Sequence, residues 1–363
     1  MRTRTTRRDF LRRMGAAAGV AVGATLPGIP RNASGATGPT PAPAEKRPLG
    51  KTGFQVGTVG FGAMTTRDPE VIRFAVERLA TKVHIAPVDQ MIRSAENSLR
   101  SLKVDVIDLL QLHGISSEGE VTDERAREAL RKLIDQGKVR AAGVTTHSGQ
   151  ENVLSAVAKH GFYKTVLVAY NFRSDKGVTA TVKGALGMSR GLSETIRAVA
   201  NSGIGVIAMK TQAGGYASPP GGFSPHQAAL AWVLANPGVV TTIPSMTSYS
   251  QVEENLGARG KRFALADRIA LGRYALEIGD RHCGLCGGCG GVCPGGVEVP
   301  NVLRALTYLE GYREEDLARS AYGSLPPGRN AAACGDCREC LVACRLQLPV
   351  RRLARRAHAR LAG

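Results

Sequence analysis

The sequence predicts an α/β chain, a TIM-type (β/α)8 barrel short of about one βα unit, followed by a smaller cysteine-rich helical module. Three observations carry that expectation. Short β-branched runs alternate with longer helical patterns from Lys46 to about Asp280, the order expected of a parallel sheet. All eight cysteines fall after residue 282. A chain of 363 residues, 43% of them hydrophobic, can bury enough core for more than one domain.

The amino terminus comes first. Residues 1–13 carry six arginines and one aspartate, and residues 345–363 carry six arginines and no acid, so about +7 of the net +18 belongs to the body between them. With that placement and no nucleic-acid motif, the charge reads as a targeting segment plus a solvated basic tail, not as a nucleic-acid surface. Thr6-Arg7-Arg8-Asp9-Phe10-Leu11 precedes an apolar Gly/Ala-rich stretch from Gly15 to about Ile29, too short to span a bilayer comfortably. It resembles a twin-arginine export signal, which implies a periplasmic or extracytoplasmic location. The small residues from Asn32 to Ala44 then read as a cleavage region or linker, and no later segment is apolar enough for a transmembrane helix. The expected domains are 1–44 (signal and linker), 45–280 (barrel) and 281–363 (cysteine-rich domain with basic tail).

The barrel elements follow in order. Strands are expected at Thr58–Phe61, Val106–Leu112, Val139–Val144, Val166–Tyr170, Gly205–Met209 and Val239–Ile243. Helices are expected at Val88–Leu102, Asp123–Gln136, Glu151–Lys159, Glu194–Asn201 and Pro225–Ala235. No Gly-x-Gly-x-x-Gly opens the first βα turn, which argues against a Rossmann dinucleotide site.

Several runs in this region carry a family resemblance. They include Arg47-Pro48-Leu49-Gly50-Lys51-Thr52-Gly53, Gly60-Phe61-Gly62, Ala80-Thr81-Lys82, Ile107 through His113, Gly137 through Val144, Tyr170-Asn171, Gly205 through Lys210, Ala229 through Leu234, and Ile243-Pro244 running to Glu254-Asn255. In order and spacing they resemble the aldo/keto reductases over roughly residues 46–275. The resemblance implies a barrel enzyme in which NADP or NAD delivers hydride to a small carbonyl, or takes it from an alcohol, while a tyrosine moves the proton with help from lysine, aspartate and histidine. A phenol with a pKa near 10 needs a nearby cation to act at neutral pH. Lys82 matches the lysine and His113 the histidine. Thr145 and Asn171 match residues near the nicotinamide, and Lys210, Ser245, Glu254 and Asn255 fall among the dinucleotide contacts. Ser245 and Gln251 stand where some members place cations on the 2′-phosphate, so no preference between NADP and NAD follows.

One departure weighs against ordinary catalysis. Only seventeen residues separate Met64 from Lys82, and the first tyrosine in the chain is Tyr163. The segment that would carry the family's aspartate and tyrosine is therefore missing, with a helix over Pro69–Leu79 running almost directly into Ala80-Thr81-Lys82. His84, two residues past Lys82, is a candidate substitute acid.

The carboxyl-terminal cysteines give the sharpest motif. Cys283, Cys286, Cys289 and Cys293 follow C-x2-C-x2-C-x3-C before Pro294, and Cys334, Cys337, Cys340 and Cys344 repeat the spacing before Arg345. This is the ferredoxin pattern for two [4Fe-4S] clusters, in which the fourth cysteine of each run reaches the neighbouring cluster. One cluster would take Cys283, Cys286, Cys289 and Cys344, and the other Cys334, Cys337, Cys340 and Cys293. Zinc is the structural alternative, and a secreted disulfide framework would not leave the first 282 residues without cysteine. A helix over Val302–Glu310 suggests an α-helical ferredoxin-like module. Joined, the halves imply an iron-sulfur oxidoreductase with an external redox partner, because a nicotinamide moves two electrons and each cluster one. The alternative is an electron carrier or binding protein with a catalytically degenerate barrel.

Overall fold

The computed structural model describes residues 46–64, 66, 80–174, 191–213, 224–279, 282–287, 289–290, 293–334, 337, 340–344 and 346–362. The amino-terminal arginine segment, the linker and the helix expected over Pro69–Leu79 lie outside the described residues.

The described chain opens with an antiparallel hairpin, β1 (Lys46–Pro48) against β2 (Gln55–Gly57). Its turn passes so close to a barrel strand that a Cβ on Gly50 would lie 2.3 Å from Gly205 N, and Gly50 has φ 53°. Only glycine fits there without strain. The hairpin brings Leu49, Phe54 and Val56 against Leu109, Leu167 and Ile207 in the barrel interior.

Six parallel strands make the main sheet: β3 (Ala80–Val83), β4 (Ile107–Leu112), β5 (Val139–Thr146), β6 (Thr165–Ala169), β7 (Gly205–Met209) and β8 (Val239–Thr242), hydrogen-bonded in that order. Successive side chains alternate between two layers, as the two-residue period of a strand demands. Leu110, Leu112, Val144, Val166, Val168 and Val206 face the surrounding helices. Leu109, Ala141, Leu167, Ala169, Ile207 and Met209 face inward. The strand expected at Thr58–Phe61 is present only as parallel bridges, Val59 to Thr242 and Gly62 to Ser245. Gly60 N donates to Thr242 O and Gly62 N to Pro244 O, but Pro244 has no N–H to return, so no continuous ladder forms. With this stave the described residues supply seven of the barrel's walls.

Helices fill the connections. They are α1 (Val88–Leu102), α2 (Glu118–Val121), α3 (Glu124–Asp135), α4 (Gln150–His160), α5 (Leu192–Asn201) and α6 (Pro225–Leu234), followed by α7 (Tyr249–Leu256) and α8 (Leu265–Ile278). Asp123 caps α3 by accepting from Ala126 N at 3.0 Å, and Ala126, Ala129, Leu130 and Leu133 form its buried stripe. The expected boundaries hold within one or two residues for α1 and α3–α6. The polar spacing near 249–278 left α7 and α8 unforeseen.

The carboxyl-terminal part folds as α9 (Val299–Glu310), α10 (Glu315–Gly323) and α11 (Val350–Leu361) around a separate apolar core. α9 begins three residues before its expected start because Pro300 sits in its first turn, where a missing N–H costs nothing. The expected solvated basic tail needs correction. Val350, Leu353, Ala354, Ala357 and Leu361 form the buried face of α11, and Arg356 pairs with Glu310 at 2.6 Å. The dense arginines mask a helical period of apolar residues. Among the described residues no helix is long and apolar enough to cross a membrane.

Candidate active site and thiol centre

The carboxyl ends of the parallel strands gather the titratable side chains, the end at which barrel sites are built. Lys82 lies in β3 opposite Gln111, and His113 follows β4 with its N–H on Val83 O at 2.8 Å. The His113 Nδ1 and His84 Nε2 atoms are 3.1 Å apart, so one ring donates to the other. His147, after β5, is buried with its ring centroid 6.1 Å from that of His113. Lys210 follows β7 in the left-handed region, φ 58°.

Charge crowding sets the protonation of this group. Lys82 keeps a solvent-facing surface, yet the surrounding mouth strips enough hydration, with Lys210 adding repulsion, to pull its pKa from 10.5 to about 8. Burial, then Lys82 and His84, hold His113 down at about 3, so its imidazole is neutral at pH 7. His147 is also held well below the usual histidine range, first by burial and then by Arg304 and Lys210. A neutral imidazole can hydrogen-bond a carbonyl oxygen without supplying charge.

A helix from outside the barrel joins these strand ends. Tyr308 of α9 is 3% exposed, and Lys210 Nζ stands 4.5 Å from its ring centroid and 5.3 Å from that of Tyr312. Arg304 Cζ lies 5.8 Å from the same Tyr308 ring. Burial pushes the Tyr308 phenol up, but Lys210 and Arg304, with a smaller contribution from Lys82, outweigh it and leave the pKa below 10. Nothing local in the α9 sequence marked this residue, since Tyr308 at that spacing reads as helix core.

The residues matched to dinucleotide contacts have internal partners. Thr145 Oγ1 accepts from Gly114 N at 3.0 Å. Asn171 Nδ2 donates to Lys210 O at 3.1 Å and to Gly284 O at 3.2 Å. Ser245 pairs with Gly62 in the first stave, the Glu254 carboxylate accepts from Ser224, and Asn255 Oδ1 accepts from Gln212 at 2.7 Å.

The cysteine loop docks directly on the mouth. Gln150, 3% exposed, donates to Ala169 O and Leu285 O at 3.1 Å each. Leu285 enters the inner core beside Leu109 and Leu167. A single cavity is lined by Cys283, Cys286, Cys289 and Cys344, together with Pro300, Leu303 and Leu346. Three thiols of the first run and the last thiol of the second therefore face one space. Leu285 N donates to Cys283 Sγ at 3.3 Å. Gly287, at φ +67°, could not carry a Cβ, which would lie 2.2 Å from Gln150 Oε1. Burial pushes the Cys283 and Cys289 thiols up to about 12.

The buried Arg173 guanidinium donates to His282 O at 3.0 Å and Gly279 O at 2.8 Å; burial lowers its pKa, while the nearby Cys283, Cys344 and Cys286 favour its charged form. In the second group, Cys334 is raised by burial and then by the proximity of Cys340 and Cys293. All eight cysteines are free of disulfides. Among the described residues no group of three or more His, Cys, Asp or Glu side chains is arranged to hold a metal ion. A tetrahedral zinc would need its thiolates about 3.8 Å apart, from Zn–S bonds of ~2.3 Å. A ring of thiols around a larger inorganic core has no such requirement.

The Aldo/keto reductase family model matches residues 78–220 and 216–267. Methylglyoxal reductase DkgB of Escherichia coli O157:H7 is 26% identical over 216 residues, covering 56% of this chain and 73% of that protein. The solved structures of aldo-keto reductase AKR11C1 from Bacillus halodurans, apo and holo, are 20% and 19% identical. They align with TM-scores of 0.47 and 0.48 over 63% of this chain and 95% and 96% of theirs.

Proposed function

Because the chain belongs to the aldo/keto reductase family and is an oxidoreductase, we propose that it couples carbonyl or alcohol chemistry at the barrel mouth to one-electron transfer through two [4Fe-4S] clusters. The supporting observation is the cavity lined by Cys283, Cys286, Cys289 and Cys344, the ligand set that the interleaved spacing requires. Cys293, Cys334, Cys337 and Cys340 would hold the second cluster. The clusters, when bound, accept and release single electrons. Arg173 offsets the negative charge of the thiolates, and the Leu285 amide donates to a ligand sulfur, both of which favour the loaded site.

At the mouth, neutral His113 would orient a small carbonyl oxygen, and Lys82 would stabilise negative charge as it develops there. A nicotinamide dinucleotide, NADP or NAD, is the hydride source in keeping with the family. Thr145 and Asn171 would meet its carboxamide, with Lys210, Ser245, Glu254 and Asn255 along its length. For Asn171 this requires release of the Gly284 carbonyl.

That commitment of Asn171 favours a second reading, an electron carrier or binding protein whose barrel no longer takes a dinucleotide. We propose in either case export by the twin-arginine route to a periplasmic or extracytoplasmic site, folding as a 45–280 barrel and a 281–363 ferredoxin-like domain, and an external redox partner.

Anaerobic purification with iron and sulfide analysis, followed by titration with NADPH and NADH, tests the proposal. Equal iron and inorganic sulfide with a brown chromophore is the expected result. Colourless, metal-free protein after oxygen-free reconstitution overturns the cluster reading. Loaded protein that neither binds nor oxidises either dinucleotide leaves the electron carrier.

A further inference from the structure

We propose that Tyr308, contributed by the carboxyl-terminal helix α9, is the proton-transfer residue of the barrel site, giving its phenolic proton to a carbonyl oxygen during reduction and recovering it during oxidation. The inference rests on the carbonyl/alcohol reading above.

The strand ends supply two lysines and three histidines but no acidic side chain from the described residues at the mouth. Lys82 in β3, His84 after it, His113 after β4, His147 after β5 and Lys210 after β7 are joined by Arg304 and Tyr308 from α9. Neutral His113 and His147 hold no extra proton to give at pH 7, and exposed His84 has its Nε2 engaged with His113 Nδ1 at 3.1 Å. Lys82 can give one, but its exposed side chain exchanges with water.

Tyr308 differs in two respects. It is fixed, being 3% exposed within the α9 core and held under the Lys210 ammonium at 4.5 Å. Its conjugate base is also favoured by the surrounding cations, Lys210 before Arg304. Tyr308 and Lys82 are near enough that each favours the charged form of the other.

The step balances as a proton transfer. The Tyr308 O–H bond breaks, an O–H bond forms on the substrate oxygen, and the bonding pair stays on the phenolate. Water returns the proton. The two electrons reach the carbonyl carbon as hydride from the dinucleotide reductant and do not pass through Tyr308.

The test uses full-length, cluster-loaded protein, comparing wild type with Tyr308→Phe and Lys210→Met. The difference in phenolate absorbance between wild type and Tyr308→Phe, followed against pH, isolates the ionisation of this one tyrosine. An inflection below ~10, the ordinary tyrosine value, is expected, moving upward in Lys210→Met. Turnover of Tyr308→Phe should fall by ~10²–10⁴ in kcat, the usual span for losing a general acid, with KM, iron content and melting temperature near wild type.

An inflection at or above ~10, or Tyr308→Phe turnover within about threefold of wild type, overturns the assignment. Should Tyr308→Phe fail to fold, the difference in phenolate absorbance between wild type and Lys210→Met, followed against pH, and the kcat of Lys210→Met decide, and no change in either relative to wild type overturns it. Absence of carbonyl turnover in wild type itself overturns the function above and this assignment with it, whereas turnover that survives Tyr308→Phe sinks this assignment alone.

Discussion

Gln150→Leu isolates the joint between the barrel and the cysteine loop. The substitution keeps side-chain bulk and removes one amide that donates to Ala169 O on β6 and Leu285 O in the loop, each at 3.1 Å. Of the two, the bond to Leu285 O crosses to the loop; it contributes about 1 kcal/mol, and the Leu285 carbonyl stripped of its donor adds a desolvation cost of similar size. A loss of about 2 kcal/mol corresponds to roughly thirtyfold easier opening of the loop. The effect should concentrate at residues 283–290, because opening also withdraws Leu285 from the inner core. Hydrogen exchange of the peptide spanning this loop, measured on cluster-loaded protein, reads it directly. A change under about threefold, or one spread evenly over the barrel strands, would refute the reasoning.

Cys344→Ser is expected to remove about half of the iron and to alter the same cluster signal as Cys283→Ser. Electron paramagnetic resonance that instead pairs Cys344→Ser with Cys293→Ser would reject the interleaved ligand sets. Lys82, depressed from 10.5 to about 8, binds fewer protons folded than unfolded between those values. Its contribution to stability therefore rises with pH through that window, while the site loses its positive charge. kcat/KM should fall with a one-proton slope above pH of about 8, and Lys82→Met should abolish that limb; a limb that persists in the variant assigns it elsewhere. Leu353→Ala, at a position 3% exposed in the α11 stripe, should cost about 2–5 kcal/mol. Denaturant unfolding reads this loss, and a shift below about 0.5 kcal/mol would place α11 outside the cooperative core.

Much of the fold was legible because its signal is local. The strands from Ile107 to Thr242 announce themselves as β-branched runs, and the α3 stripe as a helical period capped by Asp123. The cysteine spacing likewise contains its own geometry. The α11 helix was hidden because charge density overrode a correct apolar period, so Val350, Leu353 and Ala357 read as interruptions in a basic tail. The Thr58–Phe61 strand was overread because Pro244, nearly two hundred residues away, cannot complete its ladder.

The sequence by itself determined which chemical groups the chain owns and in what order: a parallel α/β repeat, Lys82 and His113 at strand ends, and two four-cysteine runs. Tertiary structure alone decided which of them meet. Asn171 turns its amide to the cysteine loop, Cys344 joins the first run around one cavity, and Tyr308 comes to lie under Lys210, ninety-eight residues earlier in the chain. Such encounters depend on how helices dock over a barrel mouth, and no local period or spacing encodes a distance between segments that far apart.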